Sequence, residues 1–377
     1  MENIDYEIVQ YIKINELLHK ISYYIRCQYK LYNNMSTIKK MYHITLNWFM
    51  YQLGLRQNNS SRLLNGLTKF NYDHLIIDIF NFCSKHKYNY SLENIKIIFN
   101  FVDLFIKSEF QLAKRYLDIY KSADQNIVEK SLIKDNYLYL TYITDKHYYY
   151  KKYQNIYLPA TVKIHIDLYN KLQLRLGENP NTNQIIFITM TRYKLYETDK
   201  IGDSLSVDDI YNVIDWNGAL ELFASPINCH LQSFCSIFPD IEHHYGSIGT
   251  AFTYEKEMEF WLKYKTVVCN PPYCSHIMTR MSEMLLRILE YAMKVGHTIT
   301  FIISVPDWRN GESFYQEYTT YTLLKPYIRL EIVKSGQYNY FDYFNYKPIF
   351  LNTTKTLFLI VSTSLDVAYS EEMLFKK

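Results

Sequence analysis

After residue 215, short apolar runs alternate with longer amphipathic stretches, and few folds accommodate such a pattern. Strands are predicted at Thr266–Cys269 and Thr298–Val305, with a helix over Ile277–Met293 between them. Strands that alternate with helices favour a parallel, doubly wound sheet covered by helices. Ala219–Ala224 is predicted as a further short strand and Ile227–Phe238 as the helix that follows it.

The last two strands of the pattern, Ile328–Val333 and Thr356–Ser362, have no helical stretch between them. A parallel pair needs a long crossover, usually a helix, whereas an antiparallel pair does not. An antiparallel pair is therefore expected at the end of the sheet.

Residues 1 to about 150 have the spacing of helices. Apolar residues recur every three or four positions in Ile8–Leu18, Leu75–Phe82 and Ile95–Ala113, and Ser91 is a suitable N-cap. Val162–Leu176 is predicted as an amphipathic helix, whereas Gln184–Tyr196 fits a helix or a strand.

Two domains are expected from this change of pattern. Residues 1–155 would form a helical domain, and residues 156–377 an α/β domain with its core at 215–365.

Composition excludes some classes of protein. The 41 basic and 38 acidic side chains nearly cancel, so a general polyanion binder is not indicated. The longest apolar run is around Ile299–Val305 and is too short to cross a membrane, and we see no signal peptide, so we expect an intracellular protein with no membrane association. Cys229, Cys235, Cys269 and Cys274 lack metal-ligand spacing and are interpreted as free thiols. The 39 tyrosines fit either an AT-rich genome, such as that of a large DNA virus or a microbe, or a surface for stacking bases.

Asn270-Pro271-Pro272-Tyr273 lies between a predicted strand and a predicted helix. Ligands of open α/β sheets bind at the carboxyl ends of strands. The Asn270 amide oxygen and a proline carbonyl can accept both hydrogens of an amine, which frees the nitrogen lone pair, and Tyr273 can stack on the heterocycle. We interpret the four residues as the catalytic loop of a methyltransferase; the plain alternative is a Pro-Pro turn.

The stretch Glu221–Cys229 stands where many methyltransferases have a glycine-rich turn that approaches S-adenosyl-L-methionine. Ala224 and Ser225 are small enough to allow close approach, and Pro226 suits a first helical turn. An ordinary strand–turn–helix junction would have a similar sequence, so this stretch alone leaves both interpretations open.

Five ordered motifs together resemble the phosphorylated-CTD-interacting-factor family. Its pattern reads FASPLNC, CSAFPD, GSxG, NPPF followed by C, and IPEWR. This chain has FASPINC at Phe223–Cys229, CSIFPD at Cys235–Asp240, GSIG at Gly246–Gly249, NPPYC at Asn270–Cys274 and VPDWR at Val305–Arg309.

The resemblance implies a Rossmann-like class I methyltransferase domain preceded by a helical domain, and we expect that helical domain, residues 1–155, to bind the substrate RNA. It also implies an N6-methyltransferase that uses S-adenosyl-L-methionine and acts on the 2′-O-methyladenosine beside an mRNA cap, with RNA as the partner and no metal. The implied cofactor-binding residues are Phe223, Ala224, Ser225, Pro226, Asn228, Gly246 and Asn270. The implied substrate-binding residues are Tyr273, Ser275, Trp308, Arg309 and Arg192.

Three departures from the family pattern bear on the substrate. Ser275 stands where acidic residues are common, Tyr273 replaces a phenylalanine, and no sequence typical of a WW module surrounds the tryptophans. A DNA adenine methyltransferase and an inactive scaffold that kept the fold are the alternatives. Trp308 and Arg309 follow the predicted strand Thr298–Val305. The plain alternative to a role in substrate binding is that Trp308 lies in the core and Arg309 is solvated.

Overall fold

The computed structural model describes residues 4–31, 34–54, 70–118, 127–134, 136–143, 161–194, 203–205, 214–215, 217–273, 275–307, 309, 319–334, 339–350, 355–366 and 369–374. The chain divides into two compact units. The first comprises Met1–Ile164 and Glu178–Glu197, and the second comprises His165–Gly177 and Thr198–Lys377.

The described residues before 119 contain the three helices predicted for them and one more. They are α1 (Ile4–Gln28), α2 (Met35–Gly54), α3 (Asp73–Lys85) and α4 (Leu92–Asp118). Ile14, Leu18 and Ile25 are fully buried on one face of α1, as helical spacing requires. Ser91 is confirmed as a cap, because its Oγ accepts a hydrogen bond of 3.1 Å from the Asn94 amide.

The helical prediction for the first 150 residues was wrong at 127–134 and 137–143, which form two antiparallel strands of a three-stranded sheet. Its strands are β1 (Ile127–Lys134), β2 (Tyr137–Ile143) and β3 (Thr161–His165). Leu138 and Leu140 are buried on alternate positions of β2, which is the period of a strand and not of a helix.

The region predicted as a helix over Val162–Leu176 is divided between a strand and a helix. Val162 and Ile164 are buried on alternate positions of β3, and α5 (Ile166–Leu176) follows. The ring of His165 accepts a hydrogen bond from the Asp167 amide and caps α5. Gln184–Tyr196 fitted either a helix or a strand, and its described residues lie in a helix, α6 (Thr182–Lys194).

The second unit is built on a five-stranded mixed sheet in the order β5-β6-β7-β11-β8. The strands are β5 (Ala219–Glu221), β6 (Thr266–Cys269), β7 (Thr300–Pro306), β8 (Ile328–Lys334) and β11 (Thr356–Ser362). The first three run parallel, and β11 runs antiparallel to both β7 and β8. The expected antiparallel pair at the end of the sheet is thus confirmed.

Shorter elements complete the second unit. They are β4 (Asp203–Leu205), α7 (Pro239–Glu242), α8 (Met258–Trp261), α9 (Ser275–Lys294), α10 (Thr319–Leu324), β9 (Asn339–Asp342), β10 (Lys347–Phe350) and α11 (Glu371–Leu374). β9 is the middle strand of a small sheet with β4 and β10. The helix predicted after β6 is confirmed as α9.

The helix predicted over Ile227–Phe238 is absent: this stretch, all of it described, has a turn followed by bends and irregular chain. Phe234 forms single parallel bridges with Glu221 and with Ser247, which extend the sheet beyond β5. Ile227, Leu231 and Phe234 are buried at helical spacing, but they fill the core from an irregular path.

The core of this unit lies at the sheet. Every residue of β6, β7 and β11 is buried, which is expected for strands covered on both faces. Cys229, Cys235 and Cys269 are buried free thiols, as expected, and Cys274 lies outside the described residues. Among the described helices, none combines the length and apolar character needed to cross a membrane.

Candidate active site

The carboxyl ends of β5, β6 and β7 meet at one edge of the sheet because these strands are parallel neighbours. Glu221 on β5 is opposite Val268 on β6, and Cys269 on β6 is opposite Ile303 on β7. Three segments follow these strands and share that edge: the turn that begins at Leu222, the Asn-Pro-Pro-Tyr loop at 270–273, and Asp307. Ligands of open α/β sheets occupy this edge.

The Asn-Pro-Pro-Tyr loop joins the central parallel strand to α9. Asn270 is half-buried, Pro271 is buried and Pro272 is exposed. The Tyr273 hydroxyl lies 2.9 Å from the hydroxyl of Tyr340, which lies 2.8 Å from Thr356 Oγ1. The loop therefore has a fixed aromatic side chain next to a half-buried amide.

The turn after β5 is closed by its own side chains. Asn228 Oδ1 accepts hydrogen bonds of 2.8 Å from both the amide and the hydroxyl of Ser225. Ser225 and Pro226 are buried, whereas Phe223 and Ala224 are partly exposed. Of the residues predicted here to bind the cofactor, Ser225 and Asn228 shape the turn, and Phe223 and Ala224 have accessible surface.

A buried carboxylate holds the chain that returns from this turn. Glu221 Oε2 accepts hydrogen bonds from the backbone amides of His230, at 2.8 Å, and Leu231, at 3.2 Å. The Ala224 amide donates to Cys235 O at 2.9 Å, so the returning chain is also joined to the segment beyond β5. Satisfied amides of this kind allow irregular backbone to be buried.

Two basic side chains on α5 hold the same returning chain. Lys171 Nζ donates to Ile227 O at 2.9 Å, and Arg175 Nη2 donates to Leu231 O at 2.9 Å. They lie four residues apart and therefore on one face of the helix. Burial lowers the pKa of Lys171.

The aromatic residue Tyr343 packs against Lys171. Lys171 Nζ lies 4.6 Å from the centre of the Tyr343 ring, and the Tyr343 hydroxyl is 3.0 Å from His230 Nε2. Burial, with the charges of Lys171 and Arg175, lowers the pKa of His230 to about 3, so the imidazole is neutral. Sequence reasoning missed these residues, because a lysine and an arginine on an amphipathic helix have no distinguishing pattern.

Gly246 has a backbone reason to be glycine. Its φ angle is +102°, and an added Cβ would lie 2.8 Å from the carbonyl oxygen of Gln232. The neighbouring Ser247 hydroxyl is 2.6 Å from that of Ser236. The close approach lets the segment at 246–249 pair beside Phe234; contact of Gly246 with a cofactor stays a prediction.

Asp307 and Arg309 form an ion pair at the end of β7. Arg309 Nε donates to Asp307 Oδ1 at 2.7 Å and Nη2 donates to Oδ2 at 3.0 Å. Arg309 also donates to Glu331 and lies over the ring of Tyr321. The hydrogen bonds from Arg309 lower the pKa of Asp307. The Arg309 guanidinium is therefore held by protein carboxylates, and it is not the solvated side chain that the alternative interpretation expected. Its contact with substrate stays a prediction.

Three predicted substrate residues are not placed at this edge. Trp308 lies outside the described residues, as does the side chain of Ser275. Arg192 lies on α6 in the first unit, where it is 3% exposed. A solvent-exposed cation would be better suited to bind phosphate, so burial weakens the case for Arg192.

These features define a class of protein: an α/β fold in which an Asn-Pro-Pro-Tyr loop lies at the ligand-binding edge of a mixed sheet. Residues 167–342 match the family described as "Phosphorylated CTD interacting factor 1 WW domain". The matched range includes β5 to β9, α9 and the Asn-Pro-Pro-Tyr loop. Over these residues, slightly less than half of the chain, the sequence is similar to the phosphorylated-CTD-interacting-factor family.

Two relatives carry the name mRNA (2′-O-methyladenosine-N(6)-)-methyltransferase. The protein of Homo sapiens is 33% identical over 117 residues, and that of Mus musculus is 32% identical over 116 residues. Each alignment covers 30% of this chain and 15% of the relative. The similarity thus spans about a seventh of each relative's length.

Proposed function

We propose that this protein is an S-adenosylmethionine-dependent N6-methyltransferase that acts on adenosine in RNA, with the cap-adjacent adenosine of mRNA as the expected target. The single observation that carries the proposal is the place of Asn270-Pro271-Pro272-Tyr273, directly after the central parallel strand β6 and between the ends of β5 and β7. The names of the human and mouse relatives supply the adenosine and the RNA.

The chemistry of this loop suits an aromatic amine. The Asn270 amide oxygen and the Pro271 carbonyl would accept the two hydrogens of the adenine amine. Two acceptors favour a pyramidal nitrogen and free the lone pair that is otherwise delocalised into the ring. Tyr273 would cover the face of the base, and Pro271 and Pro272 restrict the backbone that carries both groups. Catalysis then depends mainly on positioning.

The residues at the sheet edge fit a cationic methyl donor. S-adenosylmethionine would supply an electrophilic methyl group on a positively charged sulfur. The Asp307 carboxylate, the Asn270 amide oxygen and the partly exposed Phe223 ring are groups that stabilise positive charge. Arg309, the basic side chain beside them, is paired with Asp307 and Glu331, so it would oppose a cation less than an unpaired arginine would.

Substitution of Asn270 tests the proposal. With S-adenosylmethionine and a short RNA that begins with adenosine, the wild type should form N6-methyladenosine, detected by mass spectrometry of the digested nucleosides. Asn270→Ala should reduce the rate on the order of 100-fold or more, by analogy with the loss of one polar contact to a transition state. Its thermal unfolding should be unchanged, because Asn270 lies in a half-buried loop and not in the core.

Asn217→Ala is the matched control. Asn217 is exposed and stands before β5, at the opposite edge of the sheet. This variant should retain wild-type activity. Asn270→Ala activity within about threefold of wild type would remove the catalytic role of the loop, since a lost transition-state contact costs far more.

A further inference from the structure

We propose that Tyr340 is a positioning residue that fixes the Tyr273 ring through a hydroxyl relay, which we define as Tyr273, Tyr340 and Thr356. The inference rests on the proposed function, because Tyr273 is the side chain that would cover the target base. Tyr340 itself need not touch the substrate. It lies in β9, far along the chain from the Asn-Pro-Pro-Tyr loop.

The relay runs from the partly exposed loop into the core. The Tyr273 and Tyr340 hydroxyl oxygens are 2.9 Å apart, and Tyr340 Oη is 2.8 Å from Thr356 Oγ1. Tyr340 and Thr356 are both buried. A hydroxyl both donates and accepts, so the central hydroxyl can serve both neighbours, and hydrogen bonds in such a chain strengthen one another.

The anchor of the relay is rigid. Tyr340 lies on the middle strand of the small sheet, opposite Ile349 on β10 and Leu205 on β4. Its side chain belongs to a core cluster that includes Val268 of β6 and Ile302 of β7. Tyr340 is thus fixed by backbone pairing on both sides and by packing against the strands that end at the site.

Thr356 connects the other end of the relay to the site. It is the first residue of β11 and is opposite Pro306, the last residue of β7. The preceding residue, Lys355, accepts the hydrogen bond from the Asp307 amide, at 2.8 Å. The relay therefore ties the Asn-Pro-Pro-Tyr loop to the end of the neighbouring strand.

A ring held only by its own backbone can change its χ1 and χ2 angles. Anchoring the far end of Tyr273 removes that freedom and sets the plane on which a base would stack. The family pattern has phenylalanine at this place, which could not join the relay. The relay thus gives a specific role to the tyrosine of this chain.

A double-mutant cycle on Tyr273 and Tyr340 tests the inference. Tyr340→Phe should lower kcat/KM for an RNA that begins with adenosine by about tenfold, the value of a well-placed hydrogen bond. The KM for S-adenosylmethionine should not change. In the Tyr273→Phe background, the same substitution should change kcat/KM by less than about twofold, because no hydroxyl remains to be placed.

Tyr369→Phe is the matched control. The Tyr369 hydroxyl is 3.4 Å from Thr266 Oγ1 at the beginning of β6, away from the carboxyl edge. Its loss should leave kcat/KM unchanged in either background. If Tyr340→Phe costs the same activity with Tyr273 or Phe at position 273, Tyr340 acts only through the fold and the positioning role is wrong.

The two proposals fail in different ways. A wild type that methylates no adenosine in RNA would overturn the proposed function, and the positioning role with it. A wild type that is active, but in which the two substitutions are additive in kcat/KM, would overturn the positioning role alone. The same double-mutant cycle can be measured on the free energy of unfolding, where the two substitutions should be coupled whether or not the protein is active. Additive effects of the two substitutions on that free energy would refute the relay itself.

Discussion

At the scale of single residues, the site depends on backbone positions that permit few side chains. Gly246 combines a left-handed φ of +102° with a carbonyl oxygen, that of Gln232, 2.8 Å from the position of a Cβ. Gly296, after α9, has a φ of +71° and no atom within 4 Å of that position. A side chain at either glycine would strain the backbone, but a side chain at Gly246 would also clash with a neighbouring atom.

We expect Gly246→Ala to destabilise the protein more than Gly296→Ala. A left-handed alanine costs about 1 kcal/mol, which is the expected loss for Gly296→Ala. In Gly246→Ala the backbone must also shift to relieve the contact with Gln232, and this should lower the free energy of unfolding by about 1 kcal/mol more, as overpacking does. Urea unfolding of the two variants measures the difference. Equal losses would show that the contact at Gly246 is relieved at no cost.

At the scale of elements, sequence patterns predicted those strands and helices whose burial is regular. β11 agrees with its prediction at both ends, and α9 within two residues, because a fully buried strand and a helix with one apolar face each have a clear period. The Asn-Pro-Pro-Tyr loop was found because its chemistry is local in the sequence.

Elements held by distant side chains could not be predicted from their own residues. The stretch at 227–238 has apolar residues at helical spacing, but Glu221, Lys171 and Arg175 bind its backbone and keep it irregular. The partnership of Tyr273 with Tyr340 likewise joins positions 67 residues apart. No spacing rule connects such pairs, so only the fold reveals them.

The chain that returns from the turn after β5 contains His230, which should make stability depend on pH. His230 has a pKa of about 3 in the folded protein and about 6.5 in the unfolded chain, so the unfolded chain binds more protons between these values. Its contribution to stability is full above pH 6.5 and is lost as the pH falls toward 3. Lys171 and Arg175 add to the cost of charging the ring, while Glu221 binds the backbone beside it.

We expect the free energy of unfolding of the wild type to fall by about 2 kcal/mol more than that of His230→Gln between pH 7 and pH 5. Glutamine cannot take up a proton in this range but can still hydrogen-bond to Tyr343. Urea unfolding at several pH values gives both curves. Parallel curves for the two proteins would contradict a neutral, part-buried His230.

At the scale of the whole molecule, charge must be local if the substrate is a polyanion. The net charge is only +3. At the described site, Lys171 and Arg175 bind backbone carbonyls, and Arg309 binds Asp307 and Glu331. These cations are used by the fold. Recognition at this edge then rests on aromatic and hydrogen-bonding groups, which favour a base that is already unstacked.

We therefore expect RNA with a 5′-terminal adenosine to be methylated faster than adenine in duplex DNA. Extracting a base from a duplex costs a few kcal/mol, and a terminal base avoids this cost. The RNA should therefore react at least about tenfold faster than the duplex DNA. Single-turnover rates on capped RNA, uncapped RNA and duplex DNA of one sequence measure the preference. Ser275 stands where the family commonly has an acid, so the capped and uncapped RNAs decide whether the cap is read. Equal rates on both would remove the cap from the proposal, and faster turnover of duplex DNA would overturn RNA as the substrate.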